Sequence, residues 1–190
     1  MTTLAPTIYN RTFPRVSEIV RDITLILLGS WLIALFAQIE IPLPFSPVPI
    51  TGQTFAVLLV GALLGSKRGA AAMLAYIAQG AAGLPFFAGG ASGFGILTGA
   101  TAGYLAGFIV AAYVVGLLAE RGMERSFKTS IVPFLVGTVI IYAFGVTWLS
   151  TIVGGFGKAI ELGLLPFIVG DILKLLAASV ALPAAWKFVQ

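Results

Sequence analysis

Six apolar stretches separated by short polar breaks leave this chain little scope to fold in water. They run approximately over residues 22–40, 53–65, 69–83, 99–119, 131–152 and 164–187. Only 9% of the 190 residues are charged, against about one quarter in an average soluble domain. Such a chain cannot cover a water-facing surface, whereas a bilayer accepts apolar side chains on the outside of a fold. The expected fold class is therefore all-α, a polytopic integral membrane protein. The second and third stretches are short against the roughly 20 residues a span needs. Read as one element they would carry Lys67 and Arg68 at their centre, and adjacent cations are expensive in the middle of a bilayer. Two short helices joined by a tight turn at the membrane surface give six spans, with five as the alternative.

Charge placement tests that count. Arg11, Arg15 and Arg21 precede the first span; Lys67 and Arg68 lie between the second and third; Arg121, Arg125 and Lys128 lie between the fourth and fifth; Lys187 follows the sixth. The opposite loops hold only Lys158. The positive-inside rule then puts both termini in the cytoplasm. Residues 1–190 read as one membrane domain, with 1–21 as a cytoplasmic N-terminal segment and 16–22 as a short amphipathic lead-in helix. That segment has no apolar core of the kind a signal peptide carries. The net charge of +4 sits in these juxtamembrane positions and gives no reason to expect nucleic acid as a partner.

The sequence has no cysteine and no histidine. Thiol chemistry, disulfides and thiolate metal sites are thereby excluded, together with the commonest general base and metal ligand. Residues 154–158 read Gly-Gly-Phe-Gly-Lys, without the spacing of a nucleotide-binding loop. With no paired carboxylates and no nucleophile–base grouping, neither an enzyme nor a cofactor is expected. Uphill movement of a solute would draw its energy from a partner; a self-sufficient carrier is the alternative.

The two faces differ in their loops. The first outer loop carries Pro42, Pro44, Pro47 and Pro49 around Phe45, which prevents helix and stiffens the backbone. The second is rich in glycine and aromatics, with Phe86, Phe87, Ser92 and Phe94 among Gly89, Gly90, Gly93 and Gly95. A stiff loop beside a mobile aromatic one resembles a pocket with a lid; outer loops that merely tolerate such composition are the other reading.

Asp171 and Lys174 are charges set well inside an apolar run. Three residues apart, they share a helix face, with Asp171 about 10 Å below the outer end by helix rise. Ionisable groups at that depth usually face the bundle interior. They are either a self-neutralising structural pair or an anchor in which Lys174 meets an anion and Asp171 accepts N–H donors. Gln53 and Gln79 have amides able to donate and accept, with a hydrogen bond at the start of a helix as the alternative for Gln53. Tyr104, Tyr142 and Trp148 suit either the wall of an apolar cavity or an interfacial belt. Gly99, Gly103 and Gly107 place small residues on one face of the fourth span, a close-packing pattern. Ser30, Ala34 and Ala37 make a similar strip on the first, for internal packing or for docking another membrane subunit.

Four segments together resemble the BioY family. They are residues 41–54 (IPLPFSPVPITGQT), residues 80–90 (GAAGLPFFAGG), the pair Tyr104 and Gly107, and residues 166–174 (PFIVGDILK). That family supplies the biotin-specific S components of energy-coupling factor (ECF) transporters, and the resemblance runs from Arg21 onward. It implies a six-helix S component in the inner membrane of a prokaryote, binding biotin from the outer side. Asp171 would accept from the ureido N–H groups, Lys174 would meet or steer the carboxylate, and the loops around Phe45 and Phe86 would close over the ring. The remaining substrate-contact candidates are Gln53, Gln79, Ser92, Tyr142 and Trp148. The strip of Ser30, Ala34 and Ala37 resembles the family's contact with a transmembrane T component, which couples to two ATP-binding cassette ATPases. Some relatives carry a basic residue in the loop after Phe87 where this chain has Ala91, leaving Lys174 as the cation for a carboxylate.

Overall fold

A computed structural model describes residues 3–187. A short helix α1 (Leu4–Thr12) precedes α2 (Glu18–Ala37). The lead-in helix expected over 16–22 is thus not a separate element. The Ser17 hydroxyl accepts from the Val20 N–H, capping α2 with Glu18 in its first turn, where a side-chain acceptor and a negative charge are both favourable.

The proline-rich loop closes as a two-stranded antiparallel ribbon of β1 (Glu40–Ile41) and β2 (Ile50–Thr51), with Glu40 opposite Thr51. All four prolines lie between the strands, where no ladder hydrogen bond is lost. Then come α3 (Gln53–Leu64) and α4 (Ser66–Ala81). The break between them is a single residue, Gly65, at φ 87°. Lys67 and Arg68 therefore lie in the first turn of α4 rather than in a loop. That helix end faces a carboxylate: Glu120 Oε1 accepts from both the N–H and the hydroxyl of Ser66, at 2.8 and 2.9 Å.

After 3₁₀ turns at Ala88–Gly90 and Phe94–Thr98 come α5 (Ala102–Glu120) and a further turn at Met123–Arg125. They are followed by α6 (Phe127–Val153), α7 (Phe156–Gly163), a turn at Leu165–Phe167 and α8 (Ile168–Lys187). Helix α7 occupies what composition reads as a plain outer loop. Gly99 precedes α5, so the glycine face expected from three residues is made by Gly103 and Gly107. Both press on α6: a Cβ on Gly107 would stand 3.0 Å from the Phe144 Cβ, and one on Gly103 would collide with Trp148.

Four helical stretches are long and apolar enough to cross a membrane: Glu18–Ala37, Ala102–Glu120, Phe127–Val153 and Phe156–Lys187. Helix α3 is a shorter apolar helix and packs in the middle, against α2, α4, α5, α6 and α8. The core around it holds Ile33, Val57, Met73, Tyr76, Val115 and Phe134. Outward residues of α2 and α8, among them Leu28, Leu35, Val169 and Leu173, are exposed and apolar, as a lipid-facing surface requires.

Polar contacts sort to the two ends of the bundle. At one end Arg68 pairs with Asp22 at 2.8 Å, Ser66 meets Glu120, Trp186 donates to Glu124 at 3.1 Å, and the Arg125 guanidinium lies 4.5 Å from the Trp186 ring centre. At the other, Ser46 donates to the Leu162 carbonyl at 2.8 Å and Tyr104 to that of Gly163 at 2.7 Å. The strip of Ser30, Ala34 and Ala37 is buried, and the Ser30 hydroxyl accepts from Gln79 of α4. Of the two readings the sequence left open, the burial of these side chains favours internal packing, since small residues let neighbouring helices come close.

Candidate functional site

The end of the bundle that carries the proline hairpin holds a cavity of about 280 Å³, near the lower bound of small-ligand clefts, which run from about 300 to 1,000 Å³. The proline hairpin contributes Pro47, Val48 and Pro49, and the second loop Phe87, Ala88 and Ala91. Helices α5, α6 and the turn before α8 add Tyr104, Leu105, Phe108, Tyr142 and Phe167, and the polar side chains of the lining include Glu40, Gln53, Thr54 and Lys174. A mostly apolar wall with a few placed polar groups is the usual form of a small-molecule site.

Local geometry explains how each group is held. Lys174 is the one cation lining the cavity among the described residues. Its Nζ donates to the Thr51 carbonyl at 2.9 Å, to Thr54 Oγ1 at 2.9 Å and to Asp171 Oδ1 at 3.0 Å. An ammonium has three protons, so all three are engaged. Asp171 Oδ1 also accepts from the Thr54 hydroxyl at 3.3 Å, and Oδ2 accepts from the Tyr142 hydroxyl. The carboxylate is thus surrounded by donors from α3, α6 and α8. It borders a second, far smaller hollow beneath the cavity, with Phe134 and Thr138, and does not line the main one. The pair sits together, as its spacing implies, but only the base looks into the large cavity.

Gln53 Nε2 donates to the Tyr76 hydroxyl at 3.0 Å. Tyr76 in turn stacks on Phe86, with ring centres 6.4 Å apart, and meets Phe87 edge-on at 5.6 Å. Phe86 therefore backs the wall, and its neighbour Phe87 forms it. Tyr104 crosses from α5 to the Gly163 carbonyl and packs edge-on against Tyr142.

The other candidates fall outside the cavity. Phe45 is exposed at the hairpin tip and Ser92 on the second loop. Trp148 braces that loop instead, donating to the Gly99 carbonyl at 2.9 Å. Gln79 joins α4 to α2: its Oε1 accepts from Trp31 Nε1 at 3.1 Å, and its Nε2 donates to Ser30 Oγ at 3.0 Å. Sequence reasoning passed over Thr51, Thr54, Phe87 and Glu40. Thr51 and Thr54 flank Gln53 and Phe87 follows Phe86, so proximity to a candidate was the available signal; Glu40 stood out only as the acid beginning the proline loop.

A sequence model of the BioY family matches residues 6–190. The chain is 39% identical over 168 residues to the "Biotin transporter BioY" of Rhizobium etli, covering 84% of this chain and 89% of that one. It is 42% identical over 155 residues to the "Biotin transporter BioY" of Thermotoga maritima, covering 82% and 85%. A crystal structure of the S-component for biotin from an ECF-type ABC transporter superposes with a TM-score of 0.80 at 26% identity, over 90% of this chain and 95% of the other.

Proposed function

The chain belongs to the BioY family, and from that membership we propose that it captures biotin at the outer membrane face as the substrate-binding subunit of an ECF-type transporter. The observation that carries this reading is Lys174, the one cation among the described residues lining an apolar, aromatic-walled cavity. A biotin ring system buries its apolar surface against Phe87, Phe108 and Phe167, while its carboxylate is drawn to the ammonium. Because the three Nζ protons are already engaged, the incoming anion takes the place of a neutral acceptor, the Thr51 carbonyl or Thr54 hydroxyl. The exchange is favourable because hydrogen bonds between two charged groups are shorter and stronger than those to neutral oxygens. Asp171, fixed by Tyr142 and Thr54, keeps the ammonium aimed.

Six spans with both termini in the cytoplasm fit this reading. The cations at 21, 68 and 125 belong to the end of the bundle away from the cavity, which is the cytoplasmic end by the positive-inside rule. The relatives are transporters, so the reading contains no bond-making step. Having no nucleotide-binding loop in its sequence, the chain would be energised by a T component and two ATP-binding cassette ATPases in a prokaryotic inner membrane.

Titration of the purified protein with biotin, biotin amide and other vitamins tests the proposal. Biotin should bind tightly, the amide at least about tenfold more weakly for loss of the charged contact, and the others not at all. A folded protein that ignores biotin, or binds the amide equally well, overturns it. A reporter fused to the C-terminus should lie in the cytoplasm, and reconstitution alone in liposomes should give binding without sustained uptake; uptake there would favour a self-sufficient carrier.

A further inference from the structure

Gln38, which caps the end of α2, does not line the cavity. Its Nε2 lies 3.0 Å from the Ala34 carbonyl, one turn back in the same helix. The carbonyls of Pro85, Phe86 and Phe87 in the second loop stand 3.3, 3.4 and 3.4 Å from the same nitrogen. A side-chain amide has two protons. One serves Ala34, and the other stands among three successive loop carbonyls. Converging carbonyl oxygens repel one another unless a donor lies between them, and each needs a partner or water. Among the described residues, the side-chain hydrogen bonds that reach this turn from the α2 side all come from Gln38.

The N–H groups of the turn are satisfied elsewhere. Phe86 donates to the Leu84 carbonyl at 2.7 Å and Phe87 to that of Ala91 at 3.0 Å. Gly93 ties the far end of the loop to the Gly80 carbonyl of α4 at 2.8 Å. Phe87 forms cavity wall, and its ring lies over Gly80 so closely that a Cβ there would stand 2.5 Å from it. The ring is thus held from α4, and the backbone that carries it from α2. Building on the biotin-capture reading, we infer that Gln38 is a positioning residue whose amide straps residues 85–87 to the end of α2 and so sets how long the aromatic wall stays closed on a bound ligand. Gln38 touches no ligand in this arrangement and acts through the Phe87 backbone. Because Gln38 is exposed, water competes for its protons, and the strap opens without the helices unfolding. Segments held by few, exposed hydrogen bonds are the first to open in a folded protein.

The test compares wild type with Gln38→Met, Gln38→Lys and Gln38→Glu. Biotin dissociation is followed by stopped-flow displacement, and hydrogen exchange of residues 84–93 is measured without ligand. Unfolding midpoints and size-exclusion profiles confirm that each variant is folded. Gln38→Met removes the donor at similar length. It should speed dissociation about 3- to 10-fold, the size of one exposed hydrogen bond, and speed exchange in 84–93 while the helices exchange as before. Gln38→Glu, which turns a carboxylate toward the carbonyls, should do at least as much. Gln38→Lys returns a donor with three protons and should restore both readouts. A merely structural role would move the unfolding midpoint without this rescue. If Gln38→Met matches wild type, if one readout moves without the other, or if Gln38→Lys behaves like Gln38→Met, the strap is overturned. A wild-type protein blind to biotin would instead fail the capture reading, and loop exchange alone would then decide whether Gln38 holds the turn.

Discussion

Tyr104 of α5 reaches past α6 to donate its hydroxyl to the Gly163 carbonyl at 2.7 Å. Its ring forms part of the cavity wall and lies against Gly145 of α6 so closely that a Cβ there would overlap it. One side chain thus fixes the spacing of α5, α6 and the segment leading into α8, the helix that bears the charged pair.

Gly145→Ala should therefore act twice. Overpacking of this kind costs about 1–3 kcal/mol, read as a lower midpoint of thermal unfolding in detergent. Because the displaced ring is cavity wall, biotin affinity should fall as well. An unchanged midpoint would mean that the Tyr104 ring moves aside freely.

For the charged pair, stability and binding should separate. Lys174→Met leaves Asp171 buried beside Tyr142 and Thr54 without its cation, at a cost of about 3 kcal/mol. Lys174→Met combined with Asp171→Leu removes both charges and should recover most of that stability, since apolar replacements of buried pairs are often neutral. Biotin binding should be lost in both. Chemical unfolding alongside ligand titration checks the pattern; binding retained by the double variant would show that the ammonium is not the anchor.

Gln79→Leu should lower stability by about 1 kcal/mol or more, because Trp31 Nε1 and Ser30 Oγ lose their partner. Biotin affinity should stay at the wild-type value, as this amide lies away from the cavity. A matching drop in affinity would place Gln79 in the binding machinery.

Glu124, in the turn between α5 and α6, is almost fully buried, with Oε1 accepting from Trp186 and Oε2 unpaired. Burial pushes its carboxyl above the usual value, against the opposing pull of its own backbone hydrogen bond, the Arg125 charge and Trp186. The folded state then holds this proton more tightly than the unfolded chain does. Stability should therefore fall as pH rises from the unfolded value through the folded one, and recover on acidification. Glu124→Gln should flatten that dependence. Unfolding midpoints measured across the carboxylate range check it, and a wild-type curve parallel to the variant's would contradict it.

How far the fold could be read depended on the kind of signal. The break at Gly65 was legible because two cations follow it, yet Lys67 and Arg68 lie within α4 since Glu120, 54 residues away from Ser66, caps that helix. The prolines announced a non-helical loop, but the β1–β2 ribbon depended on Glu40 facing Thr51 across ten residues. At the site, Asp171 and Lys174 were legible by their expense in an apolar run. Which of the two looks into the cavity was not, because the answer lies with Thr54 and Tyr142 on other helices. Gln79 and Trp148 looked like ligand contacts by type and went instead to Trp31, Ser30 and Gly99, partners remote in sequence.

By itself, then, the sequence determined the solvent, the helical class and the identity of the buried pair. Each is a matter of local composition, since transfer of a segment between water and lipid depends on the segment's own side chains. Only the tertiary structure decided which polar atoms are spent on neighbours and which remain open to a ligand. A hydrogen bond is a relation between two groups in space, and at this site most of the partners lie 20 to 120 residues apart.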